Sequence, residues 1–172
     1  MAKKVVFSGQ QLALIDIVQY HRDVESSLRV YYSQDSLQYE RQFAGYTEEE
    51  LWEERDARLL EHDRLMAFSV LSALEAALRV DYLQRVYDKK KDDLSKAFRE
   101  IYKEKGERAS LVDDILQQWK ILGSKSVGDI VGAYKYRHWL AHGRYWTPKL
   151  GQKYDYQTVY YLAAKVCNDF SL

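Results

Sequence analysis

Residues 64–87, RLMAFSVLSALEAALRVDYLQRVY, decide the fold. Ala67, Leu71, Leu74, Leu78 and Tyr82 recur three and four apart, which is the spacing of one helix face and not the alternation of a strand. Neither Gly nor Pro interrupts the stretch. Glu75 sits beside the apolar stripe, and Arg79 follows one turn later, so the two can pair along the helix.

Upstream, 11–32 (QLALIDIVQYHRDVESSLRVYY) also lacks Gly and Pro. Leu14, Ile17, His21, Val24, Leu28 and Tyr31 share a face there, and His21 reads as a histidine enclosed by a helix interface. The stretch 33–46, SQDSLQYERQFAGY, is a short helix or a loop. Thr47 and Glu50 form a capping box, with the hydroxyl accepting from the backbone and the carboxylate reaching back. Seven acids and two arginines fall between Thr47 and Glu61. Acids at a helix start face the positive end of its dipole, so this cluster reads as a solvated N-terminus.

Downstream, YDKKKDD at 87–93 marks a turn, and a helix follows to about Lys105, closed by Gly106. Ser110 and Asp113 suggest a second cap before LVDDILQQWKIL, which Gly123 stops. The last third alternates helix (127–142), irregular segment and helix. No long alternating segment supports a sheet, and no fixed-period repeat occurs. The expectation is an all-α protein, a helical bundle of about five to seven helices.

Composition is consistent with this. The chain has 172 residues, 47% hydrophobic and 30% charged, which suits one folded domain over 1–172. Its one cysteine, Cys167, excludes an intrachain disulfide and multi-cysteine metal patterns, and reads as a small buried hydrophobe. The start, MAKKVVFSGQQ, lacks a signal-peptide core, and no segment has the roughly 20 apolar residues of a membrane span. A cytoplasmic location without membrane partners is expected. With 26 basic and 26 acidic residues the net charge is zero, so the chain is not a uniformly basic nucleic-acid coat.

Charge is nevertheless distributed unevenly. From Lys120 to Lys165 there are eight basic residues against only Asp129 and Asp155, interleaved with Tyr134, Tyr136, Trp139, Tyr145, Trp146, Tyr154 and Tyr156. Aromatics beside cations can stack on bases, although each can equally fill a core or an interface. Within this region, Val127, Ile130, Val131, Tyr134, His138 and Ala141 share one predicted helix face, with Arg137 and His142 on opposite shoulders. Gly128 and Gly132, four apart, could admit close packing. Gly143 is the expected C-cap.

Arg137 and His142 are separated by roughly 7.5 Å of helix rise. A histidine moves protons near neutral pH, and an arginine presents a permanently charged fork to phosphate oxygens. Phosphodiester cleavage needs both functions, and on RNA the 2′-hydroxyl supplies the nucleophile. Helix geometry alone is also satisfied by structural contacts for both. His138 and His142 lie one turn apart, but nothing in the spacing brings Glu75, His62 or His21 to them, so neither a metal nor a cofactor is expected.

Arg137 and His142 in RHWLAH, followed by GRYW, resemble the arginine–four residues–histidine motif of the HEPN superfamily, late in an all-helical domain. The resemblance implies a HEPN-like bundle over most of the chain. It implies a metal-independent endoribonuclease leaving a 2′,3′-cyclic phosphate, with a composite site at a homodimer interface. Arg137, His142 and Glu75 are then the catalytic residues, Glu75 corresponding to the acidic residue some members place near the motif. Lys135, His138, Arg144, Tyr145 and Lys149 are the expected RNA contacts. An antitoxin or a phage-defence protein is the kind of partner the family implies. Two positions depart from the pattern. His138 stands where active members usually carry a small polar residue. Arg144 occupies the place of a modifiable tyrosine, so modification by a nucleotidyltransferase is not expected. The alternative reading is a catalytically inactive helical protein- or RNA-binding module.

Overall fold

A computed structural model describes residues 4–172; Met1–Lys3 of the leading stretch lie outside the described residues. The described chain is all-helical: α1 (Leu14–Tyr31), α2 (Tyr39–Gln42), α3 (Glu48–Tyr87), α4 (Asp93–Lys105), α5 (Gln117–Ile121), α6 (Val127–Ala141) and α7 (Tyr156–Phe170). A 3₁₀ turn, Gly106–Arg108, follows α4, and a π-helical turn, Leu111–Leu116, runs into α5.

The 40-residue α3 is the axis of the bundle, about 60 Å long. Its start is the capping box: Glu50 N–H donates to Thr47 Oγ1 at 3.2 Å, and Thr47 N–H donates to Glu50 Oε2 at 2.8 Å. Helices α1, α4, α6 and α7 and the π turn all pack on it. Ala67, Leu71, Leu74, Leu78 and Tyr82, the stripe that the spacing predicts, are each at most 1% exposed. Burial of each leucine there contributes roughly 1.5–3 kcal/mol. Before His62, only Leu51 is buried, so the acidic first turns of α3 project beyond the core.

Local signals end the elements where expected. Asp92 caps α4 by accepting from Ser95 N–H at 2.9 Å, and Gly106, at φ 60°, closes it. Ser110 caps the next segment by accepting from Asp113 N–H. The π geometry there has no sequence precursor. Ile115 N–H donates to Ser110 O, an i→i−5 bond, while Asp114 takes Ser110 N–H and Lys105 Nζ. The Ala109 carbonyl, just before this turn, accepts from Arg79 Nη1 at 3.1 Å.

His21 is enclosed as expected, 8% exposed, between α1, α3 and α7. The buried face of α6 differs from the predicted one. Val127, Ile130 and Tyr134 are buried, but so are Ala133 and Tyr136, whereas His138 and Ala141 are exposed. The helix is apolar on two sides, and contact with both α3 and α7 selects the side carrying Ala133 and Tyr136. Of the two glycines, only Gly132 meets a neighbour: a Cβ there would collide with the Tyr154 hydroxyl, while Gly128 faces open space.

Candidate functional site

Helix α6 carries Arg137 on its third turn and ends on His142, its C-cap. Five residues place the two side chains about 140° apart around the axis. Arg137 turns toward α3. Its Nη2 lies 3.3 Å from Glu75 Oε2, and its guanidinium carbon lies 5.3 Å from the centre of the Phe68 ring. Its Nε is buried and has no hydrogen-bond partner among the described residues.

Glu75 uses its other oxygen for Arg79, whose Nε donates to Oε1 at 2.8 Å. Arg79 is fixed in turn by its bond to the Ala109 carbonyl. One carboxylate is thus shared by a hydrogen-bonded guanidinium, Arg79, and an ion-paired one, Arg137, and the cluster retains one net positive charge. Tyr134 packs beneath it, donating its hydroxyl to the Leu71 carbonyl at 3.3 Å. Burial, and then the negative charge of Glu75, push the Tyr134 hydroxyl far up, so it stays protonated as a donor.

His142 leaves the helix on another side. Its ring centroid lies 4.2 Å from that of His138, and the His138 ring is 5.9 Å from Trp146. The chain then reverses through two left-handed residues, Gly143 (φ 76°) and Arg144 (φ 58°). Gly143 favours this conformation because it lacks a Cβ; Arg144 is held in it. Arg144 N–H donates to the Trp139 carbonyl at 3.1 Å, the six-to-one bond of a Schellman ending. The Arg144 guanidinium reaches across to Glu61 Oε2 at 2.6 Å. Trp139 Nε1 then donates to the Trp146 carbonyl at 2.6 Å. The linker is thereby folded back along α6.

Between that linker, α6 and the π turn lies a cleft of about 470 Å³. Lys135 and His138 contribute from α6, Lys149 and Trp146 from the linker, and Val112 from the π turn. Three of the expected RNA contacts, Lys135, His138 and Lys149, therefore come together. Arg144 instead faces Glu61, and Tyr145, 84% exposed, packs edge-on to Trp146. The spacing of RHWLAH carries no signal for Val112 or for Glu61, which join the site only through tertiary packing. Trp146 is visible in sequence as one aromatic among many; its place in the cleft is not.

No group of three or more His, Cys, Asp or Glu side chains in metal-holding geometry occurs among the described residues. None of the described helices is long and apolar enough to cross a membrane. Cys167 is half-buried, and burial pushes its thiol up. Comparison of the chain with family models, curated proteins and solved structures gives no match. The functional reading therefore rests on the site itself.

Proposed function

We propose that the chain is a HEPN-like, metal-independent endoribonuclease whose complete site forms between two copies. The 2′-hydroxyl of the substrate attacks the adjacent phosphorus, and the P–O5′ bond breaks. A 2′,3′-cyclic phosphate and a 5′-hydroxyl result. The proton leaving the 2′-oxygen and the proton reaching the 5′-oxygen are both within the chemistry of histidine, and His142 from each copy serves these roles. Arg137 stabilises charge on the non-bridging oxygens.

The observation that carries this reading is the Arg79–Glu75–Arg137 cluster. Arg137 lies beside a carboxylate that Arg79 already hydrogen-bonds, so two guanidinium groups share one negative charge. The shared carboxylate draws the Arg137 guanidinium to within 3.3 Å while leaving a net positive charge for a phosphate. The divergence of Arg137 and His142 around α6 favours a composite site, because one copy alone presents them to different sides. The cytoplasm, where RNA is available, is the corresponding location.

The test compares RNA cleavage by wild type, Arg137→Ala and His142→Ala, with a chelator present and the product ends identified. Cleavage to cyclic phosphate, reduced about 100-fold or more in both folded variants, is the expected result. Cleavage retained by both variants would remove the site assignment. The absence of cutting over a broad RNA panel would leave a binding module. A monomeric mass at high micromolar concentration would contradict the paired site.

A further inference from the structure

We infer that the cleft between α6, the π turn and the 144–150 linker is a subsite for one unpaired nucleotide, its base against Trp146 and its phosphate on Lys135 and Lys149. The shared chemistry is a planar ring carrying a phosphate, as in a free mononucleotide or in one unit of a single strand. The ring-and-phosphate part of this inference stands on the cleft alone. Its use as a substrate subsite rests on the ribonuclease reading.

The dimensions suit such a ligand. About 470 Å³ lies within the roughly 300–1,000 Å³ typical of small-ligand clefts. Val112, Val131 and Leu150 line the cleft with apolar side chains, and Trp146 adds an aromatic one. Stacking on such a ring tolerates any base, because every base presents a π-face. Two lysines, one from α6 and one from the linker, line the cleft as well, and the described lining holds no carboxylate. A purely apolar ligand would give those cations nothing to neutralise. Duplex RNA is recognised across its grooves through shape and backbone, whereas unpaired bases insert and stack.

The linker backbone is also held in place without a ligand. The Trp146 main chain is held through its carbonyl by Trp139, its ring packs on Tyr145 and His138, and Arg144 on Glu61 fixes the linker's reversal. Less ordering then remains to be done on binding. The cleft adjoins the proposed chemistry through His138, which lines it and packs on His142. The motif histidine therefore lies one side chain away from a nucleotide seated here.

The experiment titrates full-length His142→Ala, which removes the proposed cleavage, with AMP, UMP, adenosine, inorganic phosphate and a short single-stranded oligoribonucleotide, read by NMR shifts or calorimetry. Nucleotide binding at least about 10-fold tighter than adenosine or phosphate alone is expected. Trp146→Ala should weaken it by about 10-fold or more, and Trp146→Phe should restore most of it. Lys135→Glu, a substitution on the exposed side of α6, keeps the test valid if the tryptophan variant does not fold; it should weaken binding and flatten the salt dependence. A strand that binds tighter than AMP identifies the strand as the source, and AMP that no strand displaces identifies the free nucleotide. Failure of His142→Ala to bind either, or binding left unchanged by both Trp146→Ala and Lys135→Glu, overturns the subsite. Cleavage by wild type that is lost in Arg137→Ala but unchanged in Trp146→Ala would sink the subsite and leave the ribonuclease. Nucleotide binding without any cleavage would do the reverse.

Discussion

Arg144, in the left-handed region at φ 58°, donates to Glu61 Oε2 at 2.6 Å across 83 positions of sequence. The contact ties the end of α6 to the middle of α3 and sets the direction of the linker that walls the cleft. The guanidinium of Arg144 holds the Glu61 carboxyl below its ordinary value of 4.5, with burial opposing. A carboxyl depressed in the folded state contributes stability above its unfolded value, and that contribution fades as pH falls through the folded one. Arg144→Ala should therefore cost on the order of 1 kcal/mol or less at pH 7, and close to nothing near pH 3. Arg144→Gly should be more stable than Arg144→Ala by about 1 kcal/mol, since glycine takes this φ without strain. Urea midpoints at the two pH values read both effects. An alanine variant with the same deficit at pH 7 and pH 3 would mean that the ion pair is not the source.

Gly132 and Gly128 look alike in sequence but should respond oppositely to alanine. A Cβ at Gly132 would strike the buried Tyr154 hydroxyl, whose ring is stacked on Tyr136 at 5.6 Å. Overpacking of this kind costs roughly 1–3 kcal/mol. In a Tyr154→Phe background the nearest remaining atom, Tyr154 Cζ, lies at an ordinary 3.5 Å. Gly132→Ala should then be tolerated, with up to about 1 kcal/mol gained in helix propensity. Gly128→Ala alone should gain a similar amount. Thermal unfolding of the single and double variants checks the cycle, and additivity of Gly132→Ala and Tyr154→Phe would refute the contact.

If the chain is the ribonuclease proposed above, Arg79 is a positioning residue that acts on Arg137 only through Glu75. Arg79→Met should lower kcat about 10- to 100-fold with KM little changed, because a small displacement of Arg137 is enough to cost that much. Arg79→Lys retains the charge but cannot reproduce a fork that serves Glu75 and the Ala109 carbonyl together, so it should rescue partly. Glu75→Gln should resemble Arg79→Met. Single-turnover cleavage rates, beside unfolding curves that exclude a global defect, separate positioning from stability. Full kcat in Arg79→Met would remove the relay.

What was legible in sequence follows from what is local. The α3 stripe, the Thr47–Glu50 box and the glycine stops at 106, 123 and 143 depend on neighbours within one or two turns, and the structure has them where the spacing puts them. The Glu75–Arg79 pair was visible for the same reason. The inner face of α6 is legible in part: Val127, Ile130 and Tyr134 are buried as the spacing predicts, but Val131 and Ala141 offer as good an apolar side as Ala133 and Tyr136, and only packing against α3 and α7 decides between them. Glu61 opposite Arg144, Val112 in the cleft wall and the π turn belong to contacts made after the helices assemble. Periodicity has no access to them.

His21 provides the last test, since its enclosure was expected but its partners were not. Its ring lies parallel to Tyr156 at 3.8 Å and 6°, with His62 on the other face at 4.8 Å, so one side chain joins α1, α3 and α7. Nε2 lies 2.9 Å from Asp63 Oδ1, and His62 Nε2 bonds to the His21 carbonyl. The Asp63 side chain is 43% exposed and can rehydrate if its partner is lost, so most of the cost of His21→Ala is the vacated space between two rings. A loss of about 2–3 kcal/mol is expected. His21→Phe keeps the stack and gives up only the bond to Asp63, at about 1 kcal/mol. Denaturant unfolding of the two variants ranks the effects. A phenylalanine variant as unstable as the alanine one would assign the interface to the hydrogen bond and not to the stack.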